Sequence, residues 1–248
     1  MAKATEDVLM SEVMLFQPVM QQSFLQKEFD RRFHPIATIQ PGSPIEFLVK
    51  NSEKLYLDLN SSRIMVRCQV QKKDNSVMPA VADCKTGAVN LLLHSIFKDI
   101  TVQFNNKTVS DPSNMYPYRA YLATLINSSD DAQKYRLQAE GWFKDDYEHI
   151  NEGAPTDNKG LVARQKYCVE SPDIILIGRP HVDMFHIDKL PPGIDMSLKF
   201  LPNDDKFIFM TTEAATFAPK LVIKEMNLII HTRQLSDATA LAHRALVR

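Results

Sequence analysis

The chain has 248 residues, enough to bury one large β domain or two small ones. Its formal net charge of −1 supplies no global positive field to hold nucleic acid. Three widely spaced cysteines, Cys68, Cys84 and Cys168, exclude a disulfide framework and form no C-x-x-C zinc pair.

Along the chain, residues 1–40 are weakly patterned and read as an N-terminal arm, with a short helix possible within the polar run Gln17 to Arg32. No basic patch followed by a long apolar run marks a signal peptide or a membrane span there. The Asn-x-Ser/Thr matches at Asn60, Asn106 and Asn127 are therefore read as accidental. The ordered fold is expected to begin at the turn cluster Pro41-Gly42-Ser43-Pro44, with Ile45 to Val49 as a short strand. Leu55 to Leu59 alternates, and Asn60-Ser61-Ser62 reads as the next corner.

Arg63 to Val70 carries the clearest strand signal. Ile64, Val66, Cys68 and Val70 share one face, while Arg63, Arg67 and Gln69 share the other, as the alternation of side chains across a strand requires. Gln71 to Gly87 is a polar loop. Ala88 to Phe97 fits helix or strand. Ile100, Val102 and Phe104 lead into Asn105-Asn106, a hairpin signature.

Tyr118 to Ile126 and Asp130 to Phe143 follow a helical period and form an excursion near 118–143. A polar residue of Asn127-Ser128-Ser129-Asp130 is expected to cap its second helix. Trp142, the one tryptophan, is expected to anchor this excursion to a sheet edge. Strand patterning returns at Ile174 to Ile177, at Asp195 to Phe200 with Met196, Leu198 and Phe200 inward, and at Phe207 to Met210. Leu221 and Ile223 share a face, and Met226, Leu228 and Ile230 continue it with shifted parity. That shift predicts a β-bulge near Lys224-Glu225. Many short strands with inserted helices and long loops predict an all-β jelly-roll sandwich of two antiparallel sheets.

Chemistry-bearing residues are sparse. His181, Asp183 and His186 are the most tempting cluster, but on a strand the two histidines would face opposite sides, which is poor geometry for a shared metal. His94 and His231 look isolated. Asp145-Asp146 and Asp204-Asp205 lie in polar segments and read as solvated pairs. The aromatic and basic run Tyr116 to Tyr121 could stack bases or line an interface, and the near-neutral chain favours interface or core. No nucleophile elbow, zinc-protease, Walker or dinucleotide motif occurs. No catalytic, cofactor-binding or metal-binding residue is assigned.

Several pieces resemble a known family in order and spacing. They are Gly42 to Phe47, Asn90 to Phe97, Asp99 to Asn105, Asn114 to Tyr121, Trp142 to Asp145, Asn158 to Leu161 and Ile177 to Phe185. Together they resemble the major capsid proteins of the polinton/Maverick and adintovirus group, of the double jelly-roll lineage. The resemblance implies a structural subunit of an icosahedral virion, assembled inside the host cell, without catalysis or cofactor. Family proteins carry two consecutive jelly rolls, and three copies make a pseudo-hexagonal capsomer that meets other capsid proteins. This chain has room for the first, so residues 41–233 are expected to form one jelly roll. Residues 234–248, rich in Ala and Leu, are expected to be a linker toward a second. The resemblance makes Tyr116 to Tyr121 a structural signature. Two other classes compete: a carbohydrate- or protein-binding β-sandwich, and an enzyme on a cupin-like barrel, which would need three or four convergent ligands.

Overall fold

The strand centred on Val66 organises the molecule, because both of its neighbours bury the same apolar face. A computed structural model describes residues 25–51, 55–81, 83–110, 113–150, 155–187, 189–212 and 218–246. Its strands are β1 (Leu25–Phe33), β2 (Ile45–Val49), β3 (Leu55–Gln71), β4 (Thr86–Ala88), β5 (Phe97–Phe104), β6 (Lys107–Thr108), β7 (Ile174–Gly178), β8 (Met196–Pro202), β9 (Phe209–Thr211) and β10 (Lys220–Leu235). Its helices are α1 (Leu92–Ser95), α2 (Tyr116–Asn127), α3 (Asp130–Lys134), α4 (Lys159–Gln165), α5 (Asp205–Ile208) and α6 (Asp237–Leu246).

One sheet has the order β1-β10-β3-β7, the other β2-β8-β5-β6, and β4 pairs with β9 in a small third sheet. Every pairing is antiparallel. Leaving aside β4 and β9, the pairs nest: β1 with β10, β2 with β8, β3 with β7, β5 with β6. That nesting is the chain path of a jelly roll, a long antiparallel ribbon wrapped into two facing sheets.

The alternating faces meet in the core. Ile64, Val66, Cys68 and Val70 are fully buried, as are Met196, Leu198 and Phe200 from the facing sheet. Phe200 packs edge-on against Phe47 at 5.7 Å and tilted against Phe97 at 5.1 Å. Asn105 and Asn106 both take positive φ, 45° and 64°, as the two-residue β5–β6 hairpin requires. Register slips between Ile223 and Glu225, so the expected bulge falls at Lys224, and Met226, Leu228 and Ile230 return to the core.

Four expectations are corrected. Leu25–Phe33, placed in the arm where a short helix was possible, is an edge strand; Phe29, Arg31 and Phe33 form its half-buried face, and the rest of the expected arm before Leu25 lies outside the described residues. Asn60-Ser61-Ser62 makes no corner. Residues 59–62 stand opposite Ile230 as a bulge inside the continuous β3. Asp58 holds the bulge, its carboxylate accepting from the Ser61 backbone N–H (3.0 Å) and hydroxyl (2.9 Å). Asp130 to Phe143 divides into α3 and a 3-10 turn, Arg136–Glu140. Phe207 to Met210 straddles α5 and β9.

Ala88 to Phe97, which fitted either type, ends β4 and then forms α1. The Ser129 hydroxyl accepts from the Ala132 N–H at 3.3 Å and caps α3 as expected. Trp142 is buried in a small cluster with Leu91, Ala120 and Leu137, so it joins the helical excursion to the entry of α1. The helix-forming composition near the C-terminus appears as α6, docked by Tyr56 to His243 at 2.9 Å. Among the described residues no helix is long and apolar enough to cross a membrane.

Candidate functional site

Two buried polar junctions tie the helical excursion to the sandwich. Each joins residues 90–94 to residues 140–145.

The first is built on Arg164. Helix α4 starts at Asn158, whose side chain accepts from the Leu161 N–H at 3.2 Å, and its inward face carries Gly160, Leu161 and Arg164. Arg164 is almost wholly buried. Its guanidinium donates to the carbonyls of Ala88 (2.8 Å) and Phe143 (3.0 Å) and to the Asp145 carboxylate (2.8 Å). Asn90 completes the junction. Its amide donates to the Phe143 carbonyl (2.6 Å) and Asp145 (3.1 Å), and its oxygen accepts from the N–H groups of Leu91 and Phe143, both at 2.9 Å. A Cβ on Gly160 would lie 2.6 Å from the Asp145 carboxylate, so only glycine allows this approach. Asp145 is thus half of a buried ion pair, which corrects the reading of Asp145-Asp146 as a solvated pair. Asp146 accepts from the Lys159 N–H at 3.2 Å.

The second junction gathers His94 from α1, Tyr116 from the start of α2, Glu140 from the 3-10 turn and His181 after β7. His94, Tyr116 and Glu140 are buried. Tyr116 Oη accepts from the His181 N–H (3.2 Å) and lies 2.7 Å from His94 Nδ1. His94 Nε2 lies 3.1 Å from a Glu140 carboxylate oxygen. One set of directions satisfies every contact: Tyr116 donates to Nδ1, and His94 donates through Nε2 to Glu140. The His94 and His181 rings meet at 4.6 Å and 78°. Burial, then the neighbouring His94 and Arg179, pushes His181 down to about 3, so it stays neutral at ordinary pH. Burial pushes the Tyr116 phenol well up. His94, expected to be isolated, therefore sits at the centre of a buried network. One donor atom each from His94, Glu140 and His181 falls within 4.8 Å of the others, so these residues could hold a metal ion.

The trio His181, Asp183 and His186 does not lie on a strand, because residues 183–186 form a 3-10 turn. His181 turns inward, Asp183 outward into an exposed ion pair with Arg119, and His186 is exposed. The run Tyr116 to Tyr121 is likewise divided. Tyr116 is buried, Tyr118 meets Phe207 and Tyr121 packs on Trp142. No continuous stacking surface results.

The remaining candidates are structural. His231, also expected to be isolated, bonds Asp30 at 2.8 Å across β10 and β1. Asp205 accepts from the Leu221 N–H at 2.9 Å, and burial raises its pKa, so Asp204-Asp205 is not simply solvated either. Cys68, Cys84 and Cys168 are buried and joined by no disulfide, and burial pushes the Cys68 thiol up to about 12. Glu140 and Arg164 were missed in the sequence. The one available signal was a cation on the apolar face of α4.

The jelly roll is similar to a chain of the Sputnik virophage solved by cryo-electron microscopy, with TM-score 0.61 and 10% identity over 94% of this chain and 53% of that one. The fold shared with that chain is the jelly roll. A chain of the PBCV-1 virus capsid gives TM-score 0.51 and 11% identity, covering 92% of this chain and 46% of its own length. In sequence the chain is 21% identical over 207 residues to the Caenorhabditis elegans uncharacterized protein F54H12.2, covering 80% of this chain and 46% of that protein. No family model matches. The chain spans about half the length of these relatives.

Proposed function

We propose that this chain is a building block of a viral icosahedral capsid, one jelly roll of a double jelly-roll major capsid protein of the polinton/Maverick and adintovirus kind. The observation that carries this reading is the nested pairing of eight strands, with the helical excursion inserted between β6 and β7, in a fold similar over 94% of the chain to the virophage protein. The role is mechanical. The motifs singled out in the sequence are spent on internal bracing at the two junctions. Residues 41–233, extended by β1, form the first jelly roll, and α6 leads toward the second. With that second jelly roll, three copies give six similar lobes and tile hexagonally with threefold symmetry. The protein's place is the virion, assembled inside the host cell, with itself and other capsid proteins as partners.

The test is to sediment nuclease-treated particles from expressing cells on a density gradient and locate this protein by mass spectrometry. Co-migration with nuclease-protected nucleic acid is expected. Recovery solely at the top of the gradient, together with a clear hit on a glycan array, would replace this reading by a binding sandwich.

A further inference from the structure

We propose that His94, Glu140 and His181 form a structural binding site for one divalent transition-metal ion, with Zn2+ the ion that best suits two imidazoles and a carboxylate. Imidazole nitrogen and carboxylate oxygen bind Zn2+ at about 2.0–2.2 Å, which places tetrahedral ligands roughly 3.3 Å apart. His94 Nε2 and the Glu140 oxygen already stand 3.1 Å apart. One donor atom from each of the three residues lies within 4.8 Å of the other two. Closing on an ion needs a shift on the order of 1 Å, within reach of a rotation of the His181 ring.

Charge supplies a second, independent argument. Among the described residues the buried Glu140 carboxylate has one hydrogen-bond partner, His94 Nε2. Among the described residues no Lys or Arg pairs with it, and Arg119 is engaged with Asp183 at the surface. A buried carboxylate without a cation is costly, and a divalent ion removes that cost. The surroundings are built to place the acid there. A Cβ on Gly178 would lie 2.6 Å from Glu140 Cγ, so glycine at the end of β7 clears the space the side chain occupies.

The outer contacts fit as well. A ligating histidine usually donates its second N–H to an oxygen, which fixes the ring. Tyr116 Oη, 2.7 Å from His94 Nδ1, is that oxygen. When the ion takes the Nε2 lone pair, the imidazole proton resides on Nδ1 and is donated to Tyr116. The ring stays neutral, and the Tyr116 hydroxyl proton turns toward a cavity of about 30 Å3 lined by Tyr116, His181, Arg119, Asp99 and Asp183. That volume accommodates one water, which would accept this proton. The ion would join α1, the 3-10 turn and the segment after β7, three pieces far apart in sequence.

The experiment is to strip the purified full chain with a chelator, dialyse it against Zn2+ or Co2+, and measure bound metal by elemental analysis and the visible spectrum of the Co2+ form. One ion per chain is expected for the wild type and for His186→Ala, whose exposed imidazole lies outside the trio. His181→Ala should lose the ion, and Glu140→Gln should bind about tenfold or more weakly. Zn2+ should raise the melting temperature of the wild type and leave that of His181→Ala unchanged. Circular dichroism confirms the fold of each variant. His181 is partly exposed, so its variant keeps the test decisive if Glu140→Gln unfolds. A wild type that retains no ion, or a folded His181→Ala that binds as well as the wild type, overturns the site.

Discussion

The two buried junctions use the same stretches of chain and solve the problem of buried charge differently. At the first, Asp145 meets a permanent cation, and Nε, Nη1 and Nη2 of Arg164 all have acceptors. At the second, Glu140 meets His94, whose ring packs against a His181 that burial keeps neutral at ordinary pH. A closed junction is a fixed brace; an open one has room for an added charge. Polar residues buried without their full complement are also where a change in solution conditions acts first.

Removing the cation from the closed junction should have the largest effect. Arg164→Met keeps most of the packing but leaves Asp145 without its cation, with only the Asn90 amide still donating to it, and a loss of about 3–5 kcal/mol is expected in urea unfolding. A loss under about 1 kcal/mol would show that the brace is not closed by charge. Next, Gly178→Ala drives a Cβ to within 2.6 Å of Glu140 Cγ and 2.8 Å of Leu93 Cδ2. Overpacking of this kind costs about 1–3 kcal/mol. The metal-free Glu140→Gln protein should lose less, on the order of 1 kcal/mol or under, because the amide oxygen still accepts from His94 while the buried charge disappears. If it loses as much as Arg164→Met, the two junctions are energetically alike and the contrast fails.

The sheet interior was legible in the sequence because one face of each strand is buried and the other wet. Ile64 to Val70 and Met196 to Phe200 alternate for that reason, and the parity shift after Ile223 marked its bulge. Strand β1 escaped because it is an edge strand loaded with charge, where Arg31 takes an inward position beside Phe33. The apparent corner at Asn60-Ser61-Ser62 escaped because turn residues also build bulges, and Asp58 decides between the two. The junctions were hidden for a different reason. Glu140 is 46 residues from His94, and Asp145 is 55 from Asn90, so no local period records their meeting. The pieces that resembled the capsid family nonetheless contain Asn90, His94, Tyr116, Asp145, Gly160 and His181, which the fold brings to these two places.

The smallest effect is expected at an exposed junction. Hydrogen bonds from Lys224 and Arg67 hold the Asp173 carboxyl below the usual carboxylate range. Its contribution is present above the unfolded-state pKa and lost as pH falls through the lowered folded-state value. Asp173→Asn should therefore lower the melting temperature slightly near neutral pH in low salt, with the difference fading in acid and in high salt. A difference that grows on acidification would reverse the sign assigned here.

The central claim is that the jelly roll is one lobe of a capsid shell. Cryo-electron microscopy of the particles that contain this protein tests it most directly. The account predicts threefold capsomers of six lobes, with the sheets β1-β10-β3-β7 and β2-β8-β5-β6 fitting alternate lobes and the helical excursion between β6 and β7 visible in each of those. Shells built from single-lobed subunits of this chain, or particles in which its density is absent from the shell, would contradict it.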